Sequence, residues 1–115
     1  MPTKKNYHMN AEDFRRHGYA MIDWITEYWE GVENYPVLSQ VEPNQLYSSL
    51  PAECPTEGEA LSTVMEDFQK HILPGITHWQ SPNFFAYFPT GASGPSILGD
   101  LLSSGLGIQL SLIHI

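Results

Sequence analysis

Seventeen of the eighteen charged side chains in this chain lie between Met1 and Lys70; from His71 to Ile115 only Asp100 remains. Lys, Glu, Arg and Asp seldom bury unless paired, so a 45-residue stretch with its own water-facing surface normally carries several of them. The second part of the chain is therefore expected to be covered by something this sequence does not contain. At 115 residues the whole chain is one domain's worth. A domain of that size buries roughly 65% of its unfolded surface, so a core is attainable but small.

The charges that are present exclude some partners. Five Lys and Arg against thirteen Asp and Glu give a net charge of -8. Binding to a phosphate backbone needs basic residues to displace counterions, so nucleic acid is not expected as a partner. The same sign disfavours an anionic membrane surface. The apolar runs fall short of the roughly 20 residues that span a bilayer. Lys4 and Lys5 are not followed by an apolar run, so no secretory signal is read there, and the expected compartment is cytoplasmic. Cys54 is the single cysteine; no internal disulfide or cysteine-based zinc site can form. His71 and His78 lack carboxylate or thiol partners at ligand spacing, so no metal is expected.

The first half reads as helices. Asn10 caps the first, with Asp13 three residues on in a capping-box arrangement. Phe14, Met21, Ile25, Tyr28 and Val32 recur on one helical face, and Gly31 with the Asn34-Tyr35-Pro36 turn ends it. Trp24 and Trp29 fall partly off that stripe; they serve either ordinary packing or a second partner such as another subunit. A short helical turn is expected over Asn44–Leu50 within the connector from Pro36 to Pro55. Thr56-Glu57-Gly58-Glu59 reads as a capping box for a second helix carrying Leu61, Val64, Met65, Phe68 and Ile72, stopped by Pro74-Gly75. Pro95 suits the first turn of a last helix with Ile97, Leu98, Leu101 and Leu102 on its apolar face. No repeat or low-complexity run is present, and nothing builds a sheet. The fold class is thus mainly α, three amphipathic helices plus an aromatic loop.

That loop, from His78 to Thr90, holds six aromatic or imidazole rings in thirteen residues and no charge. Flat apolar walls with a few polar groups suit a planar ligand. On these residues alone, core packing is the plainer reading.

Longer stretches change the balance. Pro74-Gly-Ile-Thr-His-Trp-Gln-Ser-Pro-Asn-Phe-Phe-Ala-Tyr-Phe-Pro-Thr90 closely resembles the aromatic-L-amino-acid decarboxylase family, the group II pyridoxal-phosphate decarboxylases. Asn10-Ala-Glu-Asp-Phe-Arg-Arg16 is similar to that family's opening helix, and Tyr35-Pro-Val-Leu-Ser-Gln-Val-Glu-Pro43 to its connector, most like the plant tyrosine and tryptophan decarboxylases. Ile97-Leu-Gly-Asp-Leu-Leu-Ser-Ser-Gly105 resembles the helix after the pocket loop. The matches are collinear and together span residues 9 to 109.

The resemblance implies the N-terminal segment of a fold-type-I α/β enzyme, a homodimer whose N-terminal helices wrap over the partner. Its implied division is a flexible 1–8, a helical dimerisation segment 9–75, the start of the cofactor domain at 76–109, and a separate tail 110–115. The implied reaction is removal of carbon dioxide from an aromatic L-amino acid with pyridoxal 5'-phosphate as cofactor. By position in the motif, Trp79, Tyr87, Phe88 and Pro89 line the pocket for the substrate ring, and Thr90 is a polar contact to the bound amino acid. Plant relatives often carry Ser at that last position; Thr keeps the hydroxyl. The family's cofactor-binding lysine, ring-stacking histidine, aspartate and mobile-loop tyrosine all lie beyond position 115, so this chain is expected to hold no catalytic or cofactor-binding residue and to be inactive by itself.

Two other readings stand beside it. An aromatic aldehyde synthase shares fold and pocket but continues to oxidative deamination, and a loop residue outside this sequence decides between them. A non-enzymatic helical interaction module would instead use the uncharged second half to bind a partner. After Gly107-Ile108-Gln109 the family pattern gives way to Leu110-Ser-Leu-Ile-His-Ile115, the hexapeptide encoded by CTG TCT CTT ATA CAC ATC, a transposon end used in sequencing libraries. Those residues are expected to be foreign and are excluded from the functional reading.

Overall fold

The computed structural model describes residues 8–88 and 91–107, and among these it contains helices and turns but no strand. It divides into two compact units, Met1–Phe84 and Phe85–Ile115.

The first unit opens on α1, Ala11–Gly31. Asn10 caps it as expected: the Asp13 backbone N–H donates to Asn10 Oδ1 at 2.8 Å, and Asn10 Nδ2 donates to Asp13 Oδ2 at 2.9 Å. Arg16 closes the cluster on Asp13 at 2.7 Å, and two acids in the first turn complement the helix dipole. A 3-10 turn, Val32–Asn34, finishes the rod. The inward face differs in part from the sequence stripe. Val32 is buried and Ile25 and Tyr28 are half-buried, but Phe14 and Met21 are exposed. Trp24 takes an inward place, stacked on Tyr28 at 5.5 Å and edge-on to Phe68 at 5.3 Å. Intrachain packing therefore accounts for Trp24, while Trp29 remains exposed.

A short α2 spans Gln45–Ser49, inside the expected turn, entered through Asn44 in a left-handed conformation. The next helix corrects two expectations. Thr56 and Glu59 do not cap it: α3 is Leu61–Asp67, with Ala60 at the N-cap and no side-chain cap. A start at Thr56 would place Gly58 in the first turn at a cost near ~1 kcal/mol, and no apolar residue arrives to anchor the helix before Leu61. Nor does α3 run on to Ile72 as an α-helix. Phe68–Ile72 is wound as a π turn, followed by a 3-10 turn at Leu73–Gly75. Pro74 gives the reason, since it has no N–H to bond the carbonyl of Lys70 and its ring crowds that carbonyl. The preceding turn widens instead, and the Leu73 N–H bonds to Phe68 O.

The connector after α1 lies against the chain that follows α3. Ser39 Oγ reaches Pro74 O at 3.5 Å, and the His78 N–H donates to Val37 O at 2.9 Å. Val32 and Leu73 are the buried hydrophobic residues here, with His78 and Ser81 as buried polar ones.

In the second unit, α4 spans Gly94–Leu106. Pro95 sits in its first turn as expected, and Ser93 and Ser96 form a reciprocal capping box that the sequence reading did not register. Gly107, at φ 66°, closes the helix in the left-handed region. The intended apolar face is exposed at Leu98, Leu101 and Leu102, and no described residue of this unit is buried.

Candidate functional site

The aromatic segment begins where Gly75 releases the chain from its last helical turn. Ile76 and Thr77 lead into a double turn, in which the Ser81 N–H donates to His78 O at 3.0 Å and the Phe84 N–H to Ser81 O at 3.1 Å. Ser81 is buried, and its hydroxyl also accepts the Asn83 N–H at 3.2 Å, so the reversal at Pro82 is held from within. That reversal brings Phe84 onto Trp79: the two rings stack at 4.7 Å with 28° between planes. Trp79 keeps an exposed portion.

His78 beside it has different partners. It is 3% exposed, and its Nδ1 lies 2.7 Å from Tyr28 Oη. Tyr35 stacks on the imidazole at 4.7 Å, and Tyr28 meets Tyr35 at 5.6 Å. Burial lowers the His78 pKa below its ordinary 6.5. Burial, and after it the neighbouring Tyr35, raises that of Tyr28 above its ordinary 10.0. Both groups are therefore neutral at pH 7, and either can supply the shared proton. The sequence reading missed this cluster. Tyr28 and His78 are fifty residues apart, and no local spacing joins them.

Of the five expected pocket residues, Trp79 belongs to the first unit and Tyr87 and Phe88 to the second. Pro89 and Thr90 lie outside the described residues. Tyr87 is 87% exposed and Phe88 65% exposed. Tyr87 also sits at φ 56°, a left-handed conformation uncommon for any residue but Gly, Asn or Asp. Such backbone persists where its surroundings or a function demand it.

The described residues do not fit a pyridoxal phosphate by themselves. Lys70, the one lysine among them, is exposed on the π turn, and Arg15 and Arg16 are paired with Glu12 at 3.8 Å and Asp13 at 2.7 Å. No group of three or more His, Cys, Asp or Glu able to hold a metal occurs among the described residues. No described helix is long and apolar enough to cross a membrane. What the segment offers is ring surface and orientation.

Comparison with known proteins agrees with that chemistry. The family model described as the pyridoxal-dependent decarboxylase conserved domain matches residues 43–110. Tyrosine decarboxylase 3 of Petroselinum crispum is 50% identical over 109 residues, covering 92% of this chain and 21% of the relative. Phenylacetaldehyde synthase of a Rosa hybrid cultivar is 47% identical over 100 residues, covering 87% and 20%. Among solved structures, tryptophan decarboxylase of Catharanthus roseus in complex with L-tryptophan is similar with a TM-score of 0.82 and 44% identity, over 89% of this chain and 22% of that one. The chain thus spans about a fifth of the length of these relatives.

Proposed function

The chain belongs to the pyridoxal-dependent decarboxylase family, and on that premise we propose that it forms one wall of the substrate pocket in an enzyme that decarboxylates aromatic L-amino acids. One observation carries the reading: the charge-free segment from His78 to Phe88 leaves Trp79, Tyr87 and Phe88 exposed, with Tyr87 in a strained backbone. Large rings turned to solvent, in a stretch without charge, are the equipment of a site for a flat apolar ligand. In this proposal Trp79, Tyr87, Phe88 and Pro89 contact the substrate ring, and the Thr90 hydroxyl contacts the amino acid's polar end. Pyridoxal phosphate would be held by residues outside this chain and, when bound, would supply the electron sink that decarboxylation requires. This chain's share is to bind and orient the ring and to keep water from it.

The domain assignment is part of the same proposal: residues 9–75 as a helical dimerisation segment and 76–109 as the start of a fold-type-I α/β cofactor domain. Exposed Phe14, Tyr19, Ile22 and Trp29 on α1 support a second copy as its cover. A cytoplasmic setting is proposed with it, supported by a single cysteine, Cys54.

The test is kinetic. In the full-length protein, Phe88→Ala should raise KM or lower kcat for aromatic amino acids by about tenfold in kcat/KM, equivalent to ~1.4 kcal/mol of lost transition-state contact. Unchanged kinetics would assign the ring to packing. A second reading, aromatic aldehyde synthase, is favoured by the 47% identity to a phenylacetaldehyde synthase. Product analysis separates the two: an amine marks the decarboxylase, an aldehyde with ammonia the synthase.

A further inference from the structure

The backbone at Trp79 is tied down, its N–H donating to Thr77 O at 3.1 Å, and further ties run through its neighbour His78. His78 is held at four points. Its N–H donates to Val37 O at 2.9 Å, its carbonyl accepts the Ser81 N–H at 3.0 Å, its Nδ1 meets Tyr28 Oη at 2.7 Å, and its ring face lies on Tyr35 at 4.7 Å. Tyr28 is fixed in turn by its stack on Trp24, nearly parallel at 6°, and Trp24 by the edge of Phe68. A continuous row of rings thus connects α1 and the π turn to the residue that precedes Trp79.

A buried polar pair is a strict way to make such a connection. An apolar contact tolerates sliding, whereas a hydrogen bond at 2.7 Å fixes both distance and direction. Losing it leaves a buried polar atom without its partner, so alternative loop positions are disfavoured. Binding sites need that strictness, because a contacting group must be held within about 0.5 Å of its productive place.

We propose that Tyr28 and His78 are positioning residues, whose hydrogen bond, clamped by the Tyr35 stack, sets the loop backbone so that Trp79 stands ready against the substrate ring before substrate arrives. The inference rests on the reading of Trp79 as a pocket residue. It adds a function for α1: the helix reaches the pocket through Tyr28, whose bonding partner His78 lies 50 residues along the chain and directly precedes Trp79. Phe84 adds to this, holding the Trp79 ring in a stack at 4.7 Å.

The experiment is a double-mutant cycle in the full-length holoenzyme, with whichever of L-tyrosine, L-tryptophan, L-phenylalanine or L-DOPA the wild type turns over fastest. Tyr28→Phe deletes the hydroxyl and keeps the ring. It should raise KM about threefold to tenfold while kcat stays within about twofold, the signature of lost ring placement with the cofactor chemistry intact. In a Trp79→Ala background the same change should move KM less than about twofold, because no ring remains to be placed. An equal effect in both backgrounds overturns the proposal, as does a lowered melting temperature with unchanged KM, which is packing alone. If Trp79→Ala raises KM and Tyr28→Phe does not, the positioning role falls and the pocket stands. If Trp79→Ala leaves KM unchanged, the pocket reading of Trp79 falls and the positioning role with it. Should Tyr28→Phe yield no folded holoenzyme, His78→Asn, which removes the stacked ring but keeps a polar side chain, carries the same two-background comparison.

Discussion

Tyr87 holds a left-handed backbone at φ 56°, which costs an ordinary residue ~1–2 kcal/mol that glycine would not incur. The proposed contact with the substrate ring gives that strained position a use. Tyr87→Gly and Tyr87→Ala should therefore lose kcat/KM for aromatic substrates by similar factors, about tenfold, since both delete the ring. Their stabilities should differ, with the Gly variant ahead by ~1 kcal/mol in a thermal or denaturant melt of the full-length enzyme, because Ala inherits the strained backbone. Equal stabilities would mean the conformation is not strained. His78 makes the second residue-scale prediction. Its lowered pKa means that below pH 6.5 the unfolded segment takes up a proton that the folded one resists. Stability is thus highest above 6.5 and falls as pH drops toward the folded pKa. Hydrogen exchange of the His78 amide, bonded to Val37 O, should lose protection between pH 7 and 5.5 after correction for intrinsic rates. Constant protection would show that the buried imidazole is not linked to the turn.

Elements were legible from the sequence where a local rule was complete. Asn10 with Asp13 satisfies the start of α1 through the side chain of one and the backbone of the other, and the helix begins at Ala11 as that pattern requires. The peptide of residues 8–34 should accordingly lose helicity on Asn10→Ala, by the equivalent of about 1 kcal/mol at the cap, read by circular dichroism. Thr56-x-x-Glu59 has the same form but does not cap: α3 begins at Leu61, and a longer helix would carry Gly58 in its first turn at a cost of ~1 kcal/mol. The π turn at Phe68–Ile72 was illegible for a different reason. Phe68 and Ile72 are four apart and read as α, while Pro74 acts backward on the turn before it. At Ser93 the cap was readable in principle, since Ser at N-cap and Ser at N3 flank Pro95, but a Ser-x-x-Ser box is a weaker signal than Thr-x-x-Glu. The segment's aromatic content was plain, whereas the ties on it were not. Tyr28, Tyr35 and His78 meet only through tertiary structure.

At the scale of the whole molecule, the uneven charge and the exposure of apolar groups describe one property. Val32 and Leu73 are the buried hydrophobics among the described residues, while Phe14, Tyr19, Leu38, Tyr47, Phe85, Leu102 and Leu106 are exposed. With so little apolar surface fully buried, a cooperative core is not expected of this chain by itself. The 115-residue chain by itself should melt without a cooperative transition and associate as concentration rises, measured by calorimetry and light scattering. It should also release no carbon dioxide from tyrosine, tryptophan or DOPA and add no cofactor absorbance with pyridoxal phosphate, since its one described lysine is exposed on the π turn. A monomer with a sharp two-state melt would instead favour an autonomous helical interaction module. Turnover by the isolated chain would remove the division of labour proposed here, in which this segment shapes the pocket for a catalyst held elsewhere.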